Sequence, residues 1–548
     1  QYGDFDECLS IDGAVRGKYC LAHLQVSFEE HKELDNLIHS GHYIRSNITD
    51  MGHRVPRYSS LLWGVCIPSS CSSFDLEEEL SYRLRDIGIS VRVHNTMLLY
   101  LIIMSDSVDS ERIEFYQYYK YYFSRCLTNF EKLLNAFSLK RNLRKVFDLS
   151  DPPSKIKGVD AYRGMNALAL LIAHKSMAMA HNPYINKVGF SEVFGMPWAV
   201  IGRSAILYTD SFLYLSGFLN AHNLLQDLER KGTIDMKDRF IARWFRLFPL
   251  FFSLMLFCTY ILPDVSNGPQ WNLVVEEHSR VCEKNMWKSF LFIHNYFGFE
   301  EMCLTHTHQI GMDMQLYVGT LPLMLILWKY RTLGWILVIT IGVASTVLRY
   351  LAIHWYEISM IVYYGISVQK LLDAARYSYI LPTHRATIYL IGVVMAYLMK
   401  TKKLNYTLNS VSMSVVLTFF IINGNGQGSI SLHLFTSNGI LTYFRYIIPG
   451  AGTMFLESRV FKFFNKIAYG VYLTQFPIYF YNVGVQRHIG HYSPVSLVPI
   501  SVTLVLLRIS SFRSLSRRET PSIARSIARC ATLSLLMRPT VRDRVSVP

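Results

Sequence analysis

The chain has 548 residues, of which 51% are hydrophobic, 14% aromatic and only 17% charged. A soluble globular chain usually carries about 25% charged residues, so this composition and the positive mean hydropathy argue for lipid-facing surface. The net charge of +15 does not signal a nucleic-acid partner, because residues 508–548, with nine Arg, no Lys and only Glu519 and Asp543 as acids, supply +7 of it.

Taken in chain order, the sequence opens at Gln1 without Met or a signal segment. This implies a removed targeting segment or a fragment. Residues 1–90 read as a small soluble domain, since their hydrophobic stretches are short and broken by charge. Four of the nine Cys fall here, Cys8, Cys20, Cys66 and Cys71, with an Asn47-Ile48-Thr49 sequon. That grouping suits an oxidising compartment, extracellular or lumenal, and a glycoprotein. The pairing stays open, since four Cys allow three connectivities.

Residues 91–157 hold a short apolar run, Thr96 to Met104, and then a charged linker with Lys140-Arg141 and Arg144-Lys145. The run is about half of what is needed to span about 30 Å of hydrocarbon. An outside N-terminal domain and a cytoplasmic linker nevertheless require a crossing there. Either residues are missing, or Val91 to Met104 crosses a thinned region.

From about residue 164, long apolar segments repeat: 164–182, 199–220, 245–263, 311–328, 333–353, 386–400, 410–424, 437–453, 468–485 and 494–510. Lipid leaves backbone polar groups no partner but each other, so these should be helices. The fold class expected is mostly α, a polytopic bundle of about ten transmembrane helices with a small disulfide-containing N-terminal domain. Lys and Arg concentrate in 221–244, 329–332, 401–409, 454–467 and the tail, which places these on the cytoplasmic side. The segments 183–198, 264–310, 354–385, 425–436 and 486–493 then face the other way, and Cys282 and Cys303 in 264–310 suggest a second disulfide. The sequon Asn405-Tyr406-Thr407 falls on the cytoplasmic side and should stay unglycosylated. Residues 511–548 form an Arg/Ser-rich tail, read as disordered or as the product of an altered frame or splice. A solvated regulatory tail is the alternative.

Several motifs, in order and spacing, carry a family resemblance. Gly17-Lys18-Tyr19-Cys20 and Cys66-Ile67-Pro68-Ser69-Ser70-Cys71 resemble signatures of the nose resistant to fluoxetine N-terminal domain. Phe137 to Asn142, then Arg163 followed by His174, Asp210-Ser211-Phe212 with Ser216-Gly217-Phe218, and Arg243-Trp244-Phe245-Arg246 before Pro249 resemble the acyltransferase-3 pattern. So do Cys303 through Gln315 and Tyr469 through Pro477. The resemblance covers roughly residues 8–505, which identifies 158–510 as an acyltransferase-3 transmembrane domain. His308 and Gln309 stand where many members have Trp and Tyr, and the usual final crossing is replaced by the tail.

Ionisable residues inside a membrane are costly and are functional candidates by default. His174 lies eleven residues beyond Arg163, about 16 Å further along a helix, and Asp210 falls midway along its segment. Arg243 and Arg246 share a face as i and i+3, at the cytoplasmic mouth of the third crossing. Asp313 enters the fourth from the other side. As catalytic residues we expect His174 as general base, with Asp210 or Asp313 orienting it or the acceptor. Arg163, Arg243 and Arg246 would hold the phosphates of an acyl-CoA donor, a co-substrate rather than a bound cofactor. The resemblance implies the same roles for the His and the paired Arg. Each has a plainer reading: Arg at a cytoplasmic helix end, His packed and hydrogen-bonded, and Asp210 buried in a pair with Arg203, seven residues away on the same face. His306 and His308 with Asp313 do not match a metal-ligand spacing, and no metal is expected.

The expected function is an integral membrane O-acyltransferase of the plasma membrane or an endomembrane. It moves an acyl group from a thioester to a hydroxyl of a lipid, sterol or sugar. Its partners are membrane lipids, the acyl-CoA donor and a hydrophobic or hydroxyl-bearing acceptor. The alternative is a non-enzymatic transporter or uptake factor for lipids or hydrophobic drugs. A third possibility is an inactive product that has lost its last helix.

Overall fold

A computed structural model of the chain describes residues 2–13, 15–26, 32–95, 147–149, 159–196, 199, 203, 205–359, 362–401 and 458–493. The run 96–104, nearly all of the linker, the segments 410–424, 437–453 and 494–510, the sequon at Asn405 and the tail lie outside the described residues. Thirteen α-helices and five strands form among those described. Contacts divide the chain into two compact units: residues 1–99, 149–234 and 251–506, and residues 100–148, 235–250 and 507–548.

Helix α1 (Phe5–Ser10) opens the first unit, with the Asp4 carboxylate accepting from the Glu7 amide at 2.9 Å. Strand β1 (Gly17–Val26) is followed by α2 (Lys32–His39), β2 (Ile44–Arg45), β3 (Leu61–Pro68), α3 (Ser73–Leu84) and β4 (Ile89–Asn95). A reciprocal capping box between Ser72 and Asp75 starts α3, satisfying amides that the first turn leaves free. Strand β1 lies between β3 and β4, antiparallel to both. The sheet therefore continues past residue 90, and Val91–Asn95 is strand, not the start of a crossing. A disulfide joins Cys8 to Cys66. Cys20, fully buried in the central strand, and Cys71 are free thiols, so the four Cys form one pair and not two.

The membrane domain follows as α4 (Val159–Met179), α5 (Lys187–Gly195), α6 (Ala205–Lys231), α7 (Met236–Leu256), α8 (Glu277–Phe290), α9 (His308–Lys329), α10 (Arg331–Tyr356), β5 (Ile366–Ser367), α11 (Val368–Ala374), α12 (Pro382–Thr401) and α13 (Arg459–Gly484). Seven of the ten expected crossings fall on described residues, and all seven are helical. Among the described residues three helical stretches, Met236–Asp264, Thr305–Lys329 and Arg331–Tyr356, are long and apolar enough to cross a membrane. The chain is an integral membrane protein. Helix α10 turns Leu333, Ile336, Ile339, Val343 and Val347 outward at helical spacing, as a lipid-facing stripe requires. By contrast α4, α6, α12 and α13 carry polar groups inward.

Helices α6 and α12 meet at glycines. A Cβ at Gly217 would land on the Tyr389 carbonyl oxygen, and one at Gly392 on the Tyr214 carbonyl oxygen. Small residues permit such backbone approach between membrane helices. Leu213, Phe218, Tyr389 and Val393 fill the contact, and α9 adds Met312, Leu321 and Met324.

The N-terminal domain docks onto loops of the membrane domain. Strand β2 pairs in parallel with β5. Ser191 Oγ accepts from the Tyr43 amide at 2.6 Å, and Lys187 Nζ donates to the Ser60 carbonyl at 2.8 Å. Arg54 Nη2 donates to the carbonyls of Glu300 and Met302 at 2.8 and 2.6 Å. Gln270 Nε2 donates to the Tyr2 hydroxyl at 2.6 Å. These partners come from 183–198, 264–310 and 354–385, loops that charge assigns to one side.

Candidate active site

Helix α4 packs along α13 and brings His174 to Gln475. Nδ1 of His174 lies 3.0 Å from Gln475 Oε1. The amide of Gln475, fully buried, is oriented by its other end, since Nε2 donates to the Tyr472 carbonyl at 2.9 Å. An oxygen facing the imidazole can only accept, so Nδ1 carries the proton. The lone pair therefore sits on Nε2. Helix α4 ends at Met179, so His174 lies five residues before its C-terminal end.

The ring of Phe476, the next residue on α13, is shared. His174 tilts against it at a centroid distance of 4.7 Å and His306 stacks on it at 4.8 Å. His306 is held by its Nε2 at 3.1 Å from the Leu473 carbonyl, while the Tyr472 hydroxyl donates to the His306 carbonyl. A disulfide joins Cys282 of α8 to Cys303, three residues before His306. An apolar cleft lined by Leu262, Val275, Leu304 and Phe480 reaches His306 and Phe476.

Asp210 is fully buried and ion-paired to Arg385 of α12, whose Nη2 also donates to Thr209 Oγ1 at 3.0 Å. This corrects two expectations. Arg203 is not the partner of Asp210; its guanidinium donates to the Tyr43 hydroxyl and lies over that ring. Nor does Asp210 orient His174, a place taken by Gln475. Helix α6 begins at Ala205 and runs to Lys231, so Asp210 sits in its second turn and not midway. The guanidinium of Arg385 lies 4.8 Å from the Tyr379 ring centroid, and Tyr379 in turn contacts His308 at 4.7 Å.

Asp313 accepts from Ser216 Oγ, and Asn220 Nδ2 reaches both Ser216 Oγ and the Tyr389 hydroxyl at 3.1 Å. Arg163 Nη1 donates to Asn465 Oδ1 at 3.3 Å, and Asn465 Nδ2 donates to Asp160 Oδ1 at 2.6 Å. The imidazole of His174 and the carboxylate of Asp313 thus engage different partners. Arg243 and Arg246 belong to the second unit with 235–250, about two and three turns into α7. Arg243 is half-buried, Arg246 exposed, and Trp244 stacks on Phe248 at 4.1 Å. No group of three His, Cys, Asp or Glu able to hold a metal ion occurs among the described residues.

Sequence reasoning missed Arg385 and Gln475. The available signal was the same one that flagged Asp210: a charged or amide side chain inside an apolar helix. Ser216 and Gln475 lay within quoted motifs without being assigned a role.

Residues 156–510 match the model of an acyltransferase domain family, and residues 1–80 match the nose resistant-to-fluoxetine protein N-terminal domain. Nose resistant to fluoxetine protein 6 of Caenorhabditis elegans is 21% identical over 477 residues, covering 72% of this chain and 56% of that protein. Regulator of hypoxia-inducible factor 1 from the same organism is 25% identical over 231 residues, covering 40% of this chain and 43% of that protein. The chain spans about half the length of the curated relatives it matches. No solved structure matches it.

Proposed function

Since the chain belongs to the acyltransferase family whose domain occupies residues 156–510, we propose that it moves an acyl group from a thioester donor such as acyl-CoA to an acceptor hydroxyl, with His174 as general base. One observation carries this reading. Gln475 holds the imidazole with its proton on Nδ1, leaving Nε2 to take a proton from an alcohol. A neutral amide fixes the tautomer without placing a charge in the membrane domain, where an unpaired carboxylate would be expensive.

The step balances simply. The acceptor oxygen attacks the thioester carbonyl carbon as its proton passes to His174 Nε2. The C–S bond breaks, and the departing thiolate takes that proton back. Arg163 is our candidate for the donor's phosphates. Asp313 and Ser216 are assigned to the acceptor's polar end. Asp210 is given a structural role as counter-ion of Arg385. The apolar cleft beside His306 favours a lipid or sterol acceptor over a sugar. We place the N-terminal domain on the extracytoplasmic side, in keeping with the disulfides Cys8–Cys66 and Cys282–Cys303 and with the bundle of about ten crossings that charge suggests.

The test uses purified protein in lipid with labelled acyl-CoA and a panel of hydrophobic alcohols. Acyl product or released CoA is expected with the native chain and lost with His174→Ala. Ligand movement across the membrane without acyl turnover would replace the enzyme with a transporter.

A further inference from the structure

The interface between the N-terminal domain and the membrane-domain loops is built from imidazoles and cations. His53 of the N-terminal domain meets His278 of α8 with ring centroids 5.6 Å apart. His278 lies 4.8 Å from Phe480, which His181 also contacts at 5.9 Å. Phe480 lies 5.4 Å from Phe476, the ring that His174 and His306 share. Packing is therefore continuous from the docked domain to the candidate base.

Within the N-terminal domain, beside this interface, one bond requires a neutral imidazole. Arg57 Nη1 lies 2.8 Å from His94 Nε2. A guanidinium can only donate, so His94 must offer a lone pair there, and protonating that nitrogen replaces a hydrogen bond with a repulsion. His23, edge-on to His94 at 5.2 Å, is almost fully buried. Across the interface Arg54 of the N-terminal domain, also almost fully buried, clamps the Glu300 and Met302 carbonyls, immediately before Cys303 and His306.

We propose that residues 2–95 act as a lid on the segment 300–308 that carries His306 to the His174 site, held closed while His23, His53, His94, His181 and His278 are neutral and released by acid. What the lid regulates rests on the reading of His174 as the base, whereas the release itself does not.

The charges facing these imidazoles are known. Arg57 faces His23, His53, His94 and His181; Arg54 faces His53 and His278; Arg92 faces His94 and Lys187 faces His23. The acids nearby serve the arginines: Glu300 and Glu277 act on Arg54, and Asp50 and Glu77 on Arg57. Burial first, and these cations second, pull His53 down to about 3 and His94 to about 4, and hold His23 and His278 well below their ordinary value. Released imidazoles return toward about 6.5. The open form then binds more protons, so closure is fully favoured above that pH. It weakens as pH falls toward the closed-state values, by up to about tenfold per pH unit for each imidazole freed.

Hydrogen exchange on the full chain in lipid nanodiscs, corrected for intrinsic rate, tests this at about pH 7 and about pH 5. Protection of 53–60 and 300–306 should fall at least about tenfold at the lower pH, with α12 unchanged. Combining His53→Phe with His278→Phe should shrink that fall, by up to about tenfold per pH unit below about 6.5 for each imidazole removed, while keeping both rings. Arg54→Met should expose 300–306 already at the higher pH. Protection independent of pH, or an equal loss in α12, would overturn the lid. His174→Ala should leave the acid response intact, so a chain that transfers no acyl group but still opens in acid fails the enzyme reading and keeps the lid.

Discussion

Asp210 on α6 and Arg385 on α12 neutralise each other inside the membrane domain across 175 positions of sequence. Both are buried to within 2% of full. Seven residues further along each helix, Gly217 and Gly392 let the two backbones touch, so charge pairing and close packing act on the same pair of helices.

Breaking this pair from one side should be costly. Arg385→Leu or Asp210→Leu leaves a buried charge, and each should lower stability by about 3–5 kcal/mol. The double substitution should recover much of that loss. Thermal unfolding of the four proteins in detergent measures the coupling, and simple additivity would refute it.

Gln475→Leu keeps the volume beside His174 but removes the acceptor for Nδ1–H. The imidazole is then free to adopt the other tautomer. We expect acyl turnover to fall by about 10²-fold with normal folding, a loss within the usual range for general-base catalysis. Gln475→Asn, with its shorter reach, should fall between. Unchanged turnover in Gln475→Leu would show that the amide does not set the tautomer.

Gly392→Ala places a methyl group on the Tyr214 carbonyl. Forcing α6 from α12 should cost about 1–3 kcal/mol, as overpacking generally does. Gly342→Ala on α10, where nothing lies within contact of an added Cβ, should be near neutral. The two melting temperatures, compared side by side, check the contrast.

Replacing Cys282 and Cys303 together by Ser removes the tie that fixes the approach to His306. A disulfide typically contributes about 2–4 kcal/mol. The double variant should unfold earlier, with faster exchange at 300–308 than at α12. Loss of protection confined elsewhere would mean the disulfide does not position this segment.

The exposed pair between Arg487 and Asp6, 2.9 Å apart, is the counter-example. Solvent and salt screen such a pair, and surface bridges contribute about 0–1 kcal/mol. Asp6→Ala should leave docking of the N-terminal domain unaltered by the same exchange measurement.

The features legible in the residue order are those that depend on local pattern. Runs of apolar residues set the helices, so all seven described candidates folded as helices, although α6 and α7 reach further than their apolar cores because polar helix ends leave lipid without leaving the helix. The cost of a charge in hydrocarbon singled out Asp210, and motif order drew out His174. Only tertiary structure decided who meets whom. Arg385 and Gln475 reach Asp210 and His174 across 175 and 301 positions, Cys8 chose Cys66, and Arg54 found the backbone before His306. Periodicity fixes which face of a helix is apolar; it does not fix the rotation and offset at which two such faces pack, and those settle every polar partnership.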